Sequence, residues 1–271
     1  MTDSLPSLPD HFETTRATLH AYAHAVGAIP RVHAEPHDKW WHVSLKVSDL
    51  GLETDPMGLP DGNTFNVRMD FQSHEVVVAG ATETRIGMGD GLTGTVMGDQ
   101  LIAAVASLGL DGDYNREKFE SDDPRPYDPA AAATYFAATT IADRVFKEHL
   151  GSLEGDVGQV QLWPHNFDLA CEWFGTRVET HEEEGVVTEY PSQLNLGFYP
   201  AGRPYFYSNP WPFEADKLLG TPLPHGAEWH TEGWEGSILY YDQLARDPDG
   251  LTKLAEFAKA VYEVAAPTLT A

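Results

Sequence analysis

The sequence predicts an α+β protein, mainly antiparallel, with about four helices. Three observations carry that expectation. Segments with apolar residues at helical spacing stand at intervals along the chain, between them lie short runs that alternate apolar and polar, and Gln72-Ser73 turns one such run into the next as in an antiparallel meander. The first helix opens near Asp10, with Glu13 three residues on as in a capping box. Phe12, Thr15, Leu19, Tyr22, Ala23 and Val26 form one face, and Gly27 is the predicted stop.

Trp40–Ser48 reads as a strand, with Trp41, Val43, Leu45 and Val47 on one side and Trp40, His42, Ser44 and Lys46 on the other. Thr64–Phe71 alternates as cleanly, and His74–Val78 completes an antiparallel meander. Thr95–Leu108 is the second helix. The Pro/Asp-rich stretch 111–128 is the best place for an internal subdivision of what otherwise reads as a single compact domain over 1–271. Asp128-Pro129 then opens a third helix that runs to about Leu150. Short strands follow at Gln159–Trp163, Leu169–Phe174, Val186–Tyr190, Leu194–Tyr199, Tyr205–Ser208 and Ser237–Tyr241, and an amphipathic helix, Leu251–Val264, closes the chain. The order suggests two similar helix–meander–helix halves.

Composition narrows the partners. Of 271 residues, 17 are Lys or Arg and 42 Asp or Glu, a formal net charge of −25. Nucleic acid and anionic membranes both require a basic surface, and no basic cluster occurs. The acids are dispersed, as in a solvated shell adapted to high salt or in an ordinary acidic protein. One cysteine, Cys171, set among apolar residues, speaks for a buried inert thiol. The N-terminus has neither the cationic start nor the apolar run of a signal peptide, so a cytoplasmic location is expected.

The chemistry-bearing residues lie in short clusters. Gly89-Asp90-Gly91-Leu92-Thr93-Gly94 fits a dinucleotide loop, but the polar run before it and the missing second strand favour a plain glycine loop. His, carboxylate and Trp recur together as Trp40-Trp41-His42, Asp70 with His74, Trp163 to Asp168, and Trp229 to Glu232. If these converge, His165, Asp168, His230 and Glu232 form a catalytic set. His42, His165 and His230 could then hold a divalent metal such as zinc, or the His–carboxylate pairs could serve as acid and base without one. The alternative for each histidine is a core residue that donates to a backbone carbonyl. Trp41, Trp163, Tyr205, Tyr207 and Trp211 are candidate walls for a flat, hydroxylated ligand, or members of an aromatic core. His20 and His24, four apart on the first helix, read as solvated or capping residues.

Six of these motifs, in order, resemble the bacterial and archaeal domain-of-unknown-function family 5996. They are Leu19-His20, Lys39 to Val43, the Asp70-Phe71…His74 spacing, Trp163 to Ala170, Pro204 to Tyr207 with Pro210-Trp211-Pro212, and Trp229 to Gly233. The resemblance runs from about Phe12 to Val264. It implies one compact domain and brings no activity with it. Family members often carry an acidic turn before the Tyr-Phe-Tyr strand, where this chain has Tyr199-Pro200-Ala201-Gly202-Arg203, and they lack the glycine run at 87–94.

The leading functional expectation is therefore a cytoplasmic, hydrolase-like enzyme with a His/carboxylate site. The alternative is a non-catalytic protein that binds a small molecule on an aromatic wall, or a structural protein. The sequence leaves the oligomeric state open.

Overall fold

The computed structural model describes residues 4–183 and 185–271. In chain order the elements are α1 (Phe12–His33), a 3-10 turn at Trp41–Val43, β1 (Lys46–Val47), β2 (Gly51–Glu53), β3 (Met57–Gly58), β4 (Thr64–Asp70), β5 (Glu75–Ala79) and β6 (Glu83–Gly87). Next come α2 (Gly94–Ala106), α3 (Pro129–Gly151), β7 (Asp156–Val157), β8 (Gln161–Trp163), β9 (Asp168–Glu183), β10 (Val186–Tyr199) and β11 (Tyr205–Trp211). The chain ends with α4 (Ala215–Leu218), β12 (Glu228–His230), β13 (Gly236–Tyr240), α5 (Tyr241–Leu244) and α6 (Gly250–Ala265). The class is α+β, with antiparallel sheets and, among the described residues, four helices longer than one or two turns.

The chain divides into two compact units. The first comprises Leu8–Thr139 and Gln161–Asp168. Its sheet has the order β1-β2-β4-β5-β6, with β3 added on β4. The β4–β5–β6 meander is in the register the alternation requires, Val67 opposite Val78 and Val76 opposite Ile86. α1 and α2 pack on each other, and their buried Leu19, Tyr22, Val26, Met97, Leu101 and Val105 complete the core. The 111–128 stretch lies inside this unit and is anchored by buried Phe119.

The second unit holds Thr140–Val160 and Leu169–Ala271, with the N-terminal residues through Ser7. Its strands run in the order β12-β13-β11-β10-β9-β7. α6 lays Leu254, Phe257 and Val261 toward β10 and β11. Each such fully buried side chain contributes about 1.5–3 kcal/mol. The free thiol of Cys171 is fully buried, and burial pushes its ionisation well up, so it is chemically inert.

The short elements β2, β3, β6, β7, β12, α4 and α5 were not expected, and four expected segments differ. α1 has no side-chain cap at its start, and it continues through Gly27 to His33. Gly27 is there because a Cβ would come within 2.8 Å of the Pro164 ring. Its role is close approach, which a stop signal mimics in sequence. Trp40–Ser48 is a turn followed by a two-residue strand, with Trp40 in the left-handed region at φ 60°. Val186–Tyr190 and Leu194–Tyr199 are one continuous strand with an irregularity between Pro191 and Gln193. β9 extends past Phe174 because its outer half pairs with β10 rather than with a core, so its residues need no apolar face.

The glycine run serves packing. β6 is antiparallel to β5, which is not the parallel strand a dinucleotide loop follows. Thr93 caps α2 by accepting from the Val96 N–H, and a Cβ on Gly94 or Gly98 would collide with the Phe119 carbonyl or ring.

Candidate functional site

The first unit contains an open cleft of about 320 Å³ lined by Arg31, Trp40, Val43, Trp163 and His165. Its two sides are held together by a short bridge. Leu45 and Leu162 exchange backbone hydrogen bonds of 2.9 and 2.8 Å. Ser44 Oγ and Lys46 Nζ donate to Gln161 Oε1 at 2.7 and 2.8 Å.

The turn at Trp40–Val43 explains how the near side is built. On a strand, residues 40 and 43 would face opposite ways; on one turn of 3-10 helix, residues three apart lie on the same side. Trp40 and Val43 therefore reach the same cleft. Trp40 is 58% exposed, stacks on His42 (5.6 Å) and carries the Arg31 guanidinium 5.7 Å from its ring centre. The Val43 side chain is buried beneath it. The adjoining loop is fixed by its own contacts. The His37 N–H donates to His42 Nδ1 (3.1 Å), the Lys39 N–H donates to His37 Nδ1 (3.1 Å), and the His37 ring stacks on Trp41 at 4.6 Å.

The far side is the turn between Trp163 and Asp168. The Phe167 N–H donates to the Trp163 carbonyl (2.8 Å), and Phe167 takes a left-handed φ of 60°. Its buried ring stacks between Tyr135 (5.3 Å) and His20 (5.6 Å). The histidines four apart on α1 are neither solvated nor capping. His20 Nε2 and His24 Nε2 both meet the main-chain oxygen of His165, at 3.2 and 3.3 Å, and His24 Nδ1 meets the Lys118 carbonyl at 2.8 Å. Arg16 donates to His20 Nδ1 (3.3 Å), so the His20 proton sits on Nε2 and points at His165. Burial, with His24 and Arg16 adding, brings the His20 pKa down to about 4, so this imidazole is neutral at pH 7. Gly27 seats Pro164 against α1. Replacing Gly27 with valine should displace this turn and weaken binding of any ligand in the cleft. Loss of the near-ultraviolet tryptophan dichroism with α-helical signal retained would record it.

Electrostatically the cleft is cationic. Partial burial of its ring, with Arg31 and His24 nearby, holds the His165 pKa below the usual histidine value; His42 is held low by burial, Arg31 and His37. No carboxylate lines the cleft among the described residues.

The expected site residues fall out as follows. Trp163 and His165 line the cleft. His42 stands beside it through Trp40, and Trp41 packs on His37 and Lys39 instead of lining it. Asp168 is buried under the turn; burial foremost, with the Asp168 charge adding against a hydrogen bond to Thr139 that lowers it, pushes the Tyr135 hydroxyl up. His230 and Glu232 belong to the second unit. There the His230 ring contacts the Glu232 main-chain oxygen (2.8 Å) and lies on Trp234 (4.8 Å), so the histidine is served by backbone. Tyr205 lies nearly parallel to Trp234 at 6.2 Å, and Tyr207 covers the bare backbone of Gly197 on the neighbouring strand. Trp211 is 40% exposed and meets Tyr190 edge-on at 6.4 Å. Among the described residues no three His, Cys, Asp or Glu side chains are grouped to hold a metal ion, so the donor set does not fit the expected zinc.

Sequence reasoning missed Arg31 and, as a cleft wall, Trp40. Arg31 was hidden because Gly27 read as the end of the helix that carries it. No helix among the described residues is long and apolar enough to cross a membrane.

Together these features define an α+β protein with two antiparallel sheets and an indole-walled, cationic cleft in the first unit. The chain belongs to a family of unknown function (DUF5996), whose family model matches residues 5–270, nearly the whole chain. No curated protein and no solved structure matches it.

Proposed function

We propose that this protein binds a small molecule in the cleft between Trp40 and Trp163. One observation carries the reading: two indoles, a guanidinium and an imidazole border one cavity of about 320 Å³. That is the usual make-up of a ligand site, broad apolar walls with a few placed polar groups. Trp163 is half-buried on a strand pinned by Gln161, so it offers a rigid wall, and Trp40 offers an exposed one at the rim. His165 is oriented from behind through its own carbonyl, which leaves its ring for the ligand. The absence of a lining carboxylate among the described residues favours binding over the acid–base or metal-dependent hydrolysis expected from sequence.

A neutral aromatic probe tests this. Titration with 2-phenylethanol should change the tryptophan fluorescence saturably, and Trp163→Ala should weaken the apparent affinity about tenfold, the loss of one aromatic wall. A linear, unsaturable response, or an unchanged affinity in Trp163→Ala, would sink the reading.

A further inference from the structure

Resting on that reading, we infer that the ligand is an organic anion, a flat apolar body bearing a carboxylate or a phosphate that pairs with Arg31. The argument begins with where arginines go in this chain. With 42 acids against 17 bases, carboxylates are abundant. Arg16, Arg68, Arg85, Arg116, Arg177 and Arg203 are all in ion pairs with Asp or Glu. Four arginines, Arg31, Arg125, Arg144 and Arg246, make no ion pair with a described carboxylate; Arg125 and Arg246 donate to Ser121 and Ser7 instead, and of the four Arg31 is the one that borders the cleft.

The surroundings of Arg31 are cationic or neutral. From α1 through the loop that follows, the chain carries Arg16, His20, His24, Arg31, His33, His37, Lys39 and His42 against Glu13, which is paired with Arg16, Glu35 and Asp38. The guanidinium carbon lies over the Trp40 ring, 5.7 Å from its centre, and no described carboxylate pairs with it. An edge-on guanidinium offers paired donors to a carboxylate or phosphate, the geometry in which arginine binds most strongly. His165, on the opposite wall, supplies a second polar contact, and Trp40 and Trp163 bracket a planar body. A cationic ligand would meet Arg31 with no lining carboxylate to compensate it. A neutral ligand would use the walls and leave the guanidinium to water. The overall charge of −25 repels anions at long range, so affinity for one has to come from these local donors.

Three ligands of similar shape separate the possibilities: phenylacetate, 2-phenylethanol and 2-phenylethylamine, titrated by tryptophan fluorescence into the full-length protein and into Arg31→Gln. Phenylacetate should bind about ten- to a hundredfold more tightly than 2-phenylethanol, the worth of a charge-assisted hydrogen-bond pair. The amine should bind weakest. Arg31→Gln should bring phenylacetate to the level of 2-phenylethanol. Arg31 is exposed near the end of α1, so this variant should keep the wild-type melting curve. Equal binding of the acid and the alcohol by wild type, or a preference for the acid that survives Arg31→Gln, overturns the anion inference while the small-molecule cleft stands. If none of the three binds, both fall. Phenyl phosphate in the same titration separates the two anion classes: tighter binding than phenylacetate assigns phosphate, weaker binding carboxylate.

Discussion

Replacing Phe119 with alanine is expected to cost about 3–5 kcal/mol, the range for removing a buried phenylalanine from a close-packed core. Phe119 is 2% exposed, yet it lies in the irregular stretch 111–128, with no helix or strand of its own. Its backbone is tied only locally, its N–H donating to the Arg116 carbonyl at 3.0 Å, and the Arg116 guanidinium lies 5.4 Å from the ring centre. What holds it is α2: the ring occupies the space a side chain at Gly98 would need, and its carbonyl occupies that of a side chain at Gly94. The coupling has a consequence of sign. In the wild type, Gly98→Ala should destabilise, because the methyl group and the ring compete for one space. With Phe119 already alanine, the same change should stabilise by up to about 1 kcal/mol, since alanine is the better helix former and the obstruction is gone. Urea denaturation of the four proteins in the cycle measures this. A Gly98→Ala effect of the same sign in both backgrounds would show that Phe119 does not set the glycine requirement.

Those glycines show which parts of the structure could be read from sequence. Elements fixed by their own periodicity were legible: β4, β5, α2 and α6 lie within a few residues of where alternation or helical spacing places them. Positions fixed by a distant partner were not. Gly27 carries the same local signal as a helix stop, and only Pro164, more than a hundred residues away, reveals that it is a contact. Trp40–Ser48 alternates like a strand, but a left-handed residue at Trp40 and the bridge from Leu45 to Leu162 break the extension. For the candidate site, Trp163 and His165 were found because an indole beside an imidazole is conspicuous in any context. Trp40 becomes a wall residue only through the turn geometry, Arg31 only because α1 runs on past Gly27, and His20 and His24 become supports only through the carbonyl of His165. In the second unit, His230 with Glu232 has the spacing of a functional pair, yet the contact runs to the main chain.

Acidification should unfold the protein in two separable stages, and the first belongs to histidine. His149 and His20 each have a pKa brought from 6.5 to about 4, His149 by burial alone, His20 by burial with His24 and Arg16 contributing. His149 borders a small cavity with Cys171, Trp173 and Tyr262, where no charged partner lines the wall among the described residues. Both folded-state values lie below the unfolded one, so the unfolded chain takes up protons first. The stability these residues contribute is complete above pH 6.5 and is lost as pH falls from 6.5 toward about 4. Between pH 7 and pH 5 the loss is on the order of 2 kcal/mol for each histidine. Carboxylates act in another window. Asp70 is pushed up by burial but held below 3.8 on balance by the Ser73 and Gln72 N–H groups and Arg68, so its contribution is lost only under more acid conditions. Asp143, raised by burial against the pull of Lys147, works with the opposite sign, gaining stability as it protonates on the way down to 3.8. Protonation also relieves self-repulsion in a chain of charge −25, which favours the fold, so the comparison belongs at fixed, high ionic strength. His149→Phe and His20→Gln should each flatten the stability profile between pH 7 and pH 5 by about half of the histidine loss, and together remove most of it. If the double variant loses stability over that interval as steeply as wild type, the first stage has another source, and these two imidazoles are not held neutral by the fold.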